Sequence, residues 1–366
     1  MNNERDLRRK LTGFADIITQ PLIAVLISFF LGAIVILVIG KNPIQAYGEM
    51  IRGAFGKQVY LMNTLKRATP IIMGGLAVCI AWRSGYEAMG GEGQMILGAM
   101  SAALIAYYLP LPGFLRVIAA MLAAAVVGAL YSMLSGWLYD RFSVTFVIST
   151  LMMNYIANYF AAYLCNYPLR DPEANVHQMQ NAQTGKIPAE ATLQAISKGW
   201  VHWGFVLALC AVVIVWFLFK RTSFGYKSRM GGLNPRFALY GGINARRMLY
   251  IVMILSGMMA GLGGAFEALG SKGRYVDQMI FSTGYAWSGM VAALLANMNP
   301  IGTLVASILL AGLAVGGSTM MLNMSIPLEV CNIIEGIITL LMSVKLIRFA
   351  SGNIKRRKAA KGGAEA

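Results

Sequence analysis

VHWGFVLALCAVVIVWFLFKRTSFGYKSRMGGLNPRFALYGGINARRMLYIVMILSGMMAGLGGAFEALG, residues 201–270, sets a polar island between two long apolar runs. Each run is near the roughly 20 residues that cross a bilayer as a helix, the form in which a single apolar segment pairs all its backbone groups in hydrocarbon. The island, 220–247, carries seven cations (Lys220, Arg221, Lys227, Arg229, Arg236, Arg246 and Arg247) and no acid. Inside it, Asn234-Pro235, then RFALY, then Gly241-Gly242 reads as a short helix with a cap residue, a proline in its first turn and a glycine stop. A short capped helix on a basic loop of a membrane protein is an offer to a partner.

The rest of the chain repeats the apolar pattern. Apolar residues make up 57% of the 366 residues and charged residues 13%, with 40 Gly and 24 Met, which is far from the balance of a soluble domain. Ten apolar runs stand out, at 21–40, 65–82, 94–109, 114–139, 142–165, 201–219, 248–270, 284–297, 302–322 and 326–346. The expected fold is an all-α polytopic membrane protein of about ten transmembrane helices. The third and eighth runs are short and glycine-flanked, as broken or re-entrant segments are. Three regions follow: an N-terminal segment 1–20, a transmembrane domain 21–347, and a basic tail 348–366.

Charge then orients the chain. With the N-terminus inside, an even number of crossings returns the C-terminus inside. Arg5, Arg8, Arg9 and Lys10, the island 220–247, and Lys355, Arg356, Arg357, Lys358 and Lys361 all fall on that inner face. The long loop 166–200 falls outside, mixing Arg170, Lys186 and Lys198 with Asp171, Glu173 and Glu190. Both termini are expected in the cytoplasm, and much of the net charge of +16 is topological, facing anionic membrane lipids. The cations flank spans instead of clustering on a soluble module, so nucleic acid is not an expected partner.

Several chemistries are missing from the sequence. There is no GxxxxGK[ST], HExxH or GxSxG motif, so neither nucleotide hydrolysis by this chain nor a catalytic residue is expected. Cys79, Cys165, Cys210 and Cys331 lie in or at the ends of apolar runs without a close pair and read as small buried hydrophobes; no metal site is expected. His177 and His202 read as solvated or interfacial. Gly257 and Gly261, and again Gly312 and Gly316, have the small-xxx-small spacing of closely packed membrane helices.

Polar groups inside apolar runs are costly and tend to face a pathway. In FVISTLMMNYIANYFAAYL, Asn154 and Asn158 share one helical face with Tyr155 and Tyr159 beside them. Two amides beside aromatic rings suit a hydroxyl-rich or heteroaromatic solute, and they equally suit hydrogen bonds between helices. Glu267, Glu329 and Glu335 are the acids nearest the spans, too few for an ion relay. Two glycine-rich breaks, GYEAMGGEGQ at 85–94 and STGYAWSG at 282–289, share a Gly-Tyr dipeptide before an apolar stretch, as a five-plus-five internal duplication would leave. They add Glu92, Gln94, Tyr285 and Trp287 to the candidates for a solute path.

GGEGQMILGA (90–99), STLMMNYIANYF (149–160), NPRFALYGGI (234–243), LSGMMAGLGGAFEALG (255–270) and SGMVAALLANMNPIGT (288–303) occur in this order. Together they resemble the permease subunits of ATP-binding-cassette importers for ribose-like sugars, nucleosides and branched-chain amino acids, nucleoside and simple-sugar permeases above all. The resemblance implies pairing with a second permease subunit, two ATPase subunits that carry the ATP and Mg, and an extracytoplasmic solute-binding protein received at 166–200. It also implies a bacterial or archaeal cytoplasmic membrane. Asn234, Pro235, Arg236, Phe237, Ala238, Leu239, Tyr240, Gly241 and Gly242 look like the coupling helix that docks on the ATPase. Ala88 stands where many relatives have asparagine, and Leu233 where many have an acid. The expected function is import of a nucleoside, with a ribose- or galactose-type sugar as the alternative cargo. The alternative class is an ion-coupled secondary transporter.

Overall fold

The computed structural model describes residues 22–171, 182–193, 195–197 and 201–343. The expected N-terminal segment, the basic tail and His177 lie outside the described residues. Apart from a short hairpin, Ala195–Ser197 with Val201–His202, and an isolated bridge between Gln183 and Val276, the regular structure of the described residues is helical. In order the helices are α1 (Leu22–Val38), α2 (Pro43–Phe55), α3 (Gln58–Arg83), α4 (Gly91–Tyr108), α5 (Gly113–Phe142), α6 (Phe146–Asn166), α7 (Trp203–Arg221), α8 (Ser223–Leu233), α9 (Pro235–Tyr240), α10 (Ala245–Phe266), α11 (Tyr285–Leu295), α12 (Pro300–Met324) and α13 (Glu329–Ser343). A π-helical segment, Glu267–Lys272, continues α10. Each of the ten apolar runs falls on one of these helices.

Among the described residues, five helical stretches have the length and apolar character to cross a membrane unaided: α3, α5, α7, α10 with its π segment, and α12. α1 and α2 qualify together as a pair bent by 117°. α4 begins with Gly91, Glu92 and Gln94 and α11 has 11 residues, so neither meets that standard alone.

The described residues form two compact units, 52–315 and 22–51 with 316–343. In the larger, α10 packs against α3, α4 and α5. A Cβ at Gly257 would strike the backbone of Gly128 and Ala129, and one at Gly261 the carbonyl of Ala124. The backbones of α5 and α10 thus touch with no side chain between them. Lipid tails are as apolar as leucine, so it is this close van der Waals approach that holds membrane helices together. The Ser256 hydroxyl, donating to the Ala77 carbonyl at 2.9 Å, ties α10 to α3.

In the smaller unit, Tyr47 donates to the Phe29 carbonyl at 2.6 Å, with the two rings 5.3 Å apart. Gly32 faces Ile334, Gly316 meets the Met50 backbone, and Asn323 donates to the Glu49 carboxylate at 2.8 Å. The second small-residue pair is therefore used as its spacing predicts, Gly312 lying within the larger unit against Ala54 and Phe55. Of the cysteines, Cys79, Cys165 and Cys331 are buried as expected, whereas Cys210 is exposed on the outward face of α7.

Replacing Gly261 by leucine is expected to force α5 and α10 apart and to abolish the monodisperse peak in detergent size-exclusion chromatography. Gly336→Ala, with nothing within 4 Å of its Cβ, is expected to leave the melting temperature unchanged or raised by helix propensity worth at most about 1 kcal/mol.

Candidate functional site

The start of α4 is the best organised polar feature of the larger unit. α3 stops at Arg83 and the chain turns at Gly85, whose φ of 84° is left-handed and strained for any side chain. Residues 86–90 then lead back into the bundle, the Trp82 indole donating to the Ala88 carbonyl at 3.0 Å. α4 opens at Gly91 with no side-chain cap from its own N-cap residue, Gly90. A helix start buried this way leaves backbone groups in need of partners.

Asn154 and Thr150 of α6 supply those partners. The Asn154 amide is 2% exposed; its Oδ1 accepts from the Gly93 N–H and its Nδ2 donates to the Met89 carbonyl, each at 2.9 Å. The Thr150 hydroxyl accepts from the Met89 N–H at 3.0 Å. Gly93 has no side chain because a Cβ there would press on Asn154 and Ala157 at 3.1–3.2 Å. The interhelical role considered for the amides is thus the geometry found at Asn154, with loop and helix-start backbone as its partner. Asn158 is buried one turn further on, and among the described residues its Oδ1 has no partner; the same holds for Oε1 of buried Gln94. Tyr155 is exposed, its ring 5.8 Å from that of Phe281.

The two glycine-rich breaks meet. The Trp287 indole, in the first turn of α11, donates to Oε2 of Glu92, in the first turn of α4, at 3.2 Å. Gly74, Val78, Met89, Gly91, Ala286 and Met290 complete the crevice around this bond, a space of about 20 Å³. One water fits there and a solute does not. Tyr285, the neighbour of Trp287 toward the break, turns the other way and donates to Glu267 of the π segment at 3.3 Å. The Arg67 guanidinium of α3 lies 5.6 Å from the Tyr285 ring centroid, and its buried Nε has no partner among the described residues.

The five path candidates Glu92, Gln94, Asn154, Tyr285 and Trp287 therefore sit on three helices around two adjoining helix starts, while Asn158 lies deeper along α6 and Tyr155 on its exposed face. Sequence reading missed Lys66 and Arg67, although two adjacent cations inside an apolar run are a signal of the kind that points to function. Lys66 acts electrostatically on both Glu267 and His202.

His202 corrects an expectation. It is 3% exposed, not solvated, because it caps α7, its Nδ1 accepting from the Gly204 N–H at 3.1 Å, and fills the space a side chain at Gly270 would take. Burial, helped by the Lys66 charge, pushes its imidazole down to about 4. Nearby, residues 182–187 run along 273–277: Asp277 N–H donates to Ala182 O at 2.8 Å, Thr184 N–H to Tyr275 O and Ile187 N–H to Gly273 O at 2.9 Å. Arg274 pairs with Asp171 at 3.4 Å. The described part of the expected outer loop is thus a packed cover over the end of α10.

Within the basic island the expected short helix is α9. Ile243 N–H donates to Ala238 O and Gly242 N–H to Leu239 O, each at 3.0 Å, with Gly242 at a φ of 73°. This paired closure is the Schellman stop, which needs a residue at ease in the left-handed region. Ala238 is buried, whereas Leu239 is 67% and Tyr240 92% exposed. Asn234 O accepts from the Ala238 N–H at 3.0 Å, and Gly241 lies exposed at the stop. Pro235, Arg236 and Phe237 form the first half of the helix.

A bundle of apolar helices with two interrupted helix starts meeting inside it, and a short exposed helix on a basic loop, defines a membrane permease component. The chain belongs to the family described as branched-chain amino acid transport system, permease component, whose profile matches residues 60–343. It is 34% identical to the guanosine ABC transporter permease protein NupP of Bacillus subtilis, over 93% of this chain and 97% of that one. It is 31% identical to the nucleoside ABC transporter permease protein NupB of Lactococcus lactis, over 89% and 91% of the two chains. It is also 28% identical to the glucose ABC transporter permease protein TsgB13 of Haloferax volcanii, over 88% and 86%.

Asn154→Leu is expected to strand Gly93 N–H and Met89 O and to destabilise the protein by about 2–4 kcal/mol, seen as a lower melting temperature together with lost uptake. Unchanged stability with lost uptake would instead make the amide a solute contact. A second expectation concerns pH. The unfolded imidazole takes its proton near 6.5 and the folded one near 4, so stability is intact above pH 6.5 and falls by about 3 kcal/mol as pH drops to 4. Thermal melts of His202→Asn should be flatter across that window than those of the parent.

Proposed function

We propose that the chain is the membrane-spanning subunit of an ATP-driven nucleoside importer, working by alternating access. The observation that carries this reading is α9: a six-residue helix too short to persist alone, closed by its own stop, and holding Leu239 and Tyr240 out to solvent. Exposed aromatic and aliphatic anchors on a rigid element are what a protein partner buries at the centre of an interface. In this reading residues 234–242 dock on an ATPase subunit, which supplies the ATP and Mg. The island 220–247 and both termini then lie in the cytoplasm, and the apolar runs make ten crossings. The cover formed by 182–193 and 273–277 faces a solute-binding protein, and a second permease subunit completes the path.

Nucleoside cargo is favoured by the named substrates of the guanosine and nucleoside relatives and by the aromatic rings of Tyr285 and Trp287 at the helix starts. A flat heterocycle with a sugar matches that mixture of ring faces, amides and a carboxylate. The glucose relative favours sugar as the second cargo. ATP-driven closure of the partner moves α9, and the motion parts Trp287 from Glu92 to open the crevice.

Deleting residues 234–242 is expected to abolish solute-stimulated ATP hydrolysis by the reconstituted complex while the permease still inserts; hydrolysis that survives the deletion overturns the docking assignment. In the same proteoliposomes, uptake of labelled nucleosides but not glucose is expected, and the reverse result overturns the cargo.

A further inference from the structure

We infer that an anionic phospholipid binds with its headgroup in a cavity of about 350 Å³ between the start of α8 and the start of α10. The cavity is lined by Ser223, Lys227, Asn244 and Arg247 on its polar side and by Phe224, Ile243, Met248 and Ile251 on its apolar side. This division matches a phosphodiester with acyl chains attached. A free anion has no use for the apolar half.

Four observations favour a phosphate in the polar half. Two helix starts converge there, each presenting N–H groups and the positive end of its dipole. At α8 the preceding residue, Thr222, gives its hydroxyl to the Leu218 carbonyl at 2.6 Å and so does not cap the helix. At α10 the Asn244 side chain takes only the Arg247 N–H, at 3.0 Å. Two cations in the first turn of α10, Arg246 and Arg247, oppose the helix dipole, an arrangement that an external anion relieves.

The cations are also divided in their commitments. Arg246 is held by Asp140 at 2.7 Å, and Lys220 lies over the Trp216 ring at 4.8 Å. Among the described residues, the Lys227 and Arg247 side chains that line the cavity have neither an ion-pair nor a hydrogen-bond partner. The level is right as well. α7 ends at Arg221 and the apolar stretch of α10 begins just past Arg247, so the cavity lies where headgroups meet acyl chains. Ile251, one turn further along α10, is 37% exposed and continues the apolar wall onto the outer surface of the bundle.

The occupant requires only that the chain spans a membrane and does not depend on which solute it carries. The test uses the purified full chain without an ATPase, in nanodiscs of mixed phosphatidylglycerol and phosphatidylcholine, with bound lipid counted by native mass spectrometry. The double substitution Lys227→Ala with Arg247→Ala is expected to lower phosphatidylglycerol retention roughly 30-fold, from two cations near the membrane surface. Arg247→Lys should restore most of what Arg247→Ala loses. Arg229→Ala, which removes a cation of the same island outside the cavity, should change retention less than Arg247→Ala does. Equal losses in Arg229→Ala and Arg247→Ala, one cation each, would overturn the site in favour of diffuse surface charge. Unchanged phosphatidylglycerol retention in the double variant would overturn the site outright. Displacement of the lipid by millimolar inorganic phosphate would overturn it in favour of a free-anion site.

Discussion

The fork of the Asn154 amide onto Met89 and Gly93 allows a helix to begin inside the bundle. In hydrocarbon an unpaired peptide group costs several kcal/mol, so a chain that interrupts a helix must supply the missing partners from a neighbour. α6 does so with one amide and one hydroxyl, and α4 can then present Glu92 at an interior position instead of at a surface loop. Two aromatic side chains of the other break are arranged around that start: Trp287 reaches Glu92, and Tyr285 in the same turn anchors the break to Glu267. Close packing of α10 on α5 and α4 holds the frame in which these bonds are aligned.

Much of this frame was legible in the sequence because hydrocarbon imposes a simple rule on apolar runs. Among the described residues each of the ten runs carries a helix, five of them in stretches long and apolar enough to cross a membrane unaided, and the proline and glycine pair of the island marked α9 to within a residue of its ends. What stayed hidden has physical reasons. α2, PIQAYGEMIRGAF, mixes polar and apolar residues and is too short to announce a crossing, and its relation to α1 is a sharp bend that composition does not encode. α8, SFGYKSRMGGL, has three glycines and two cations in 11 residues and reads as loop.

Side-chain partners were harder still. The sequence singles out Asn154 but cannot reveal that its partners are backbone atoms more than 60 residues earlier, which leave no side-chain signature. His202 looked interfacial from its place at the end of a polar loop, whereas its burial comes from the chain end of α10 folding Gly270 against it. Arg67 meets Tyr285 only because α3 and α11 cross, and nothing local announces such a crossing.

The two polar contacts at the start of α4 also differ in kind. Asn154 makes paired bonds at 2.9 Å to backbone atoms, which tie loop and helix into one body. Trp287 makes a single bond at 3.2 Å to a carboxylate on a separate helix. A joint that must open and shut in every turnover benefits from the second sort, because a long single bond can be broken and remade without a deep energy trap at either end. The first sort is a weld and the second a latch, and their adjacency lets a permease of the proposed kind yield at one point while the neighbouring one stays fixed.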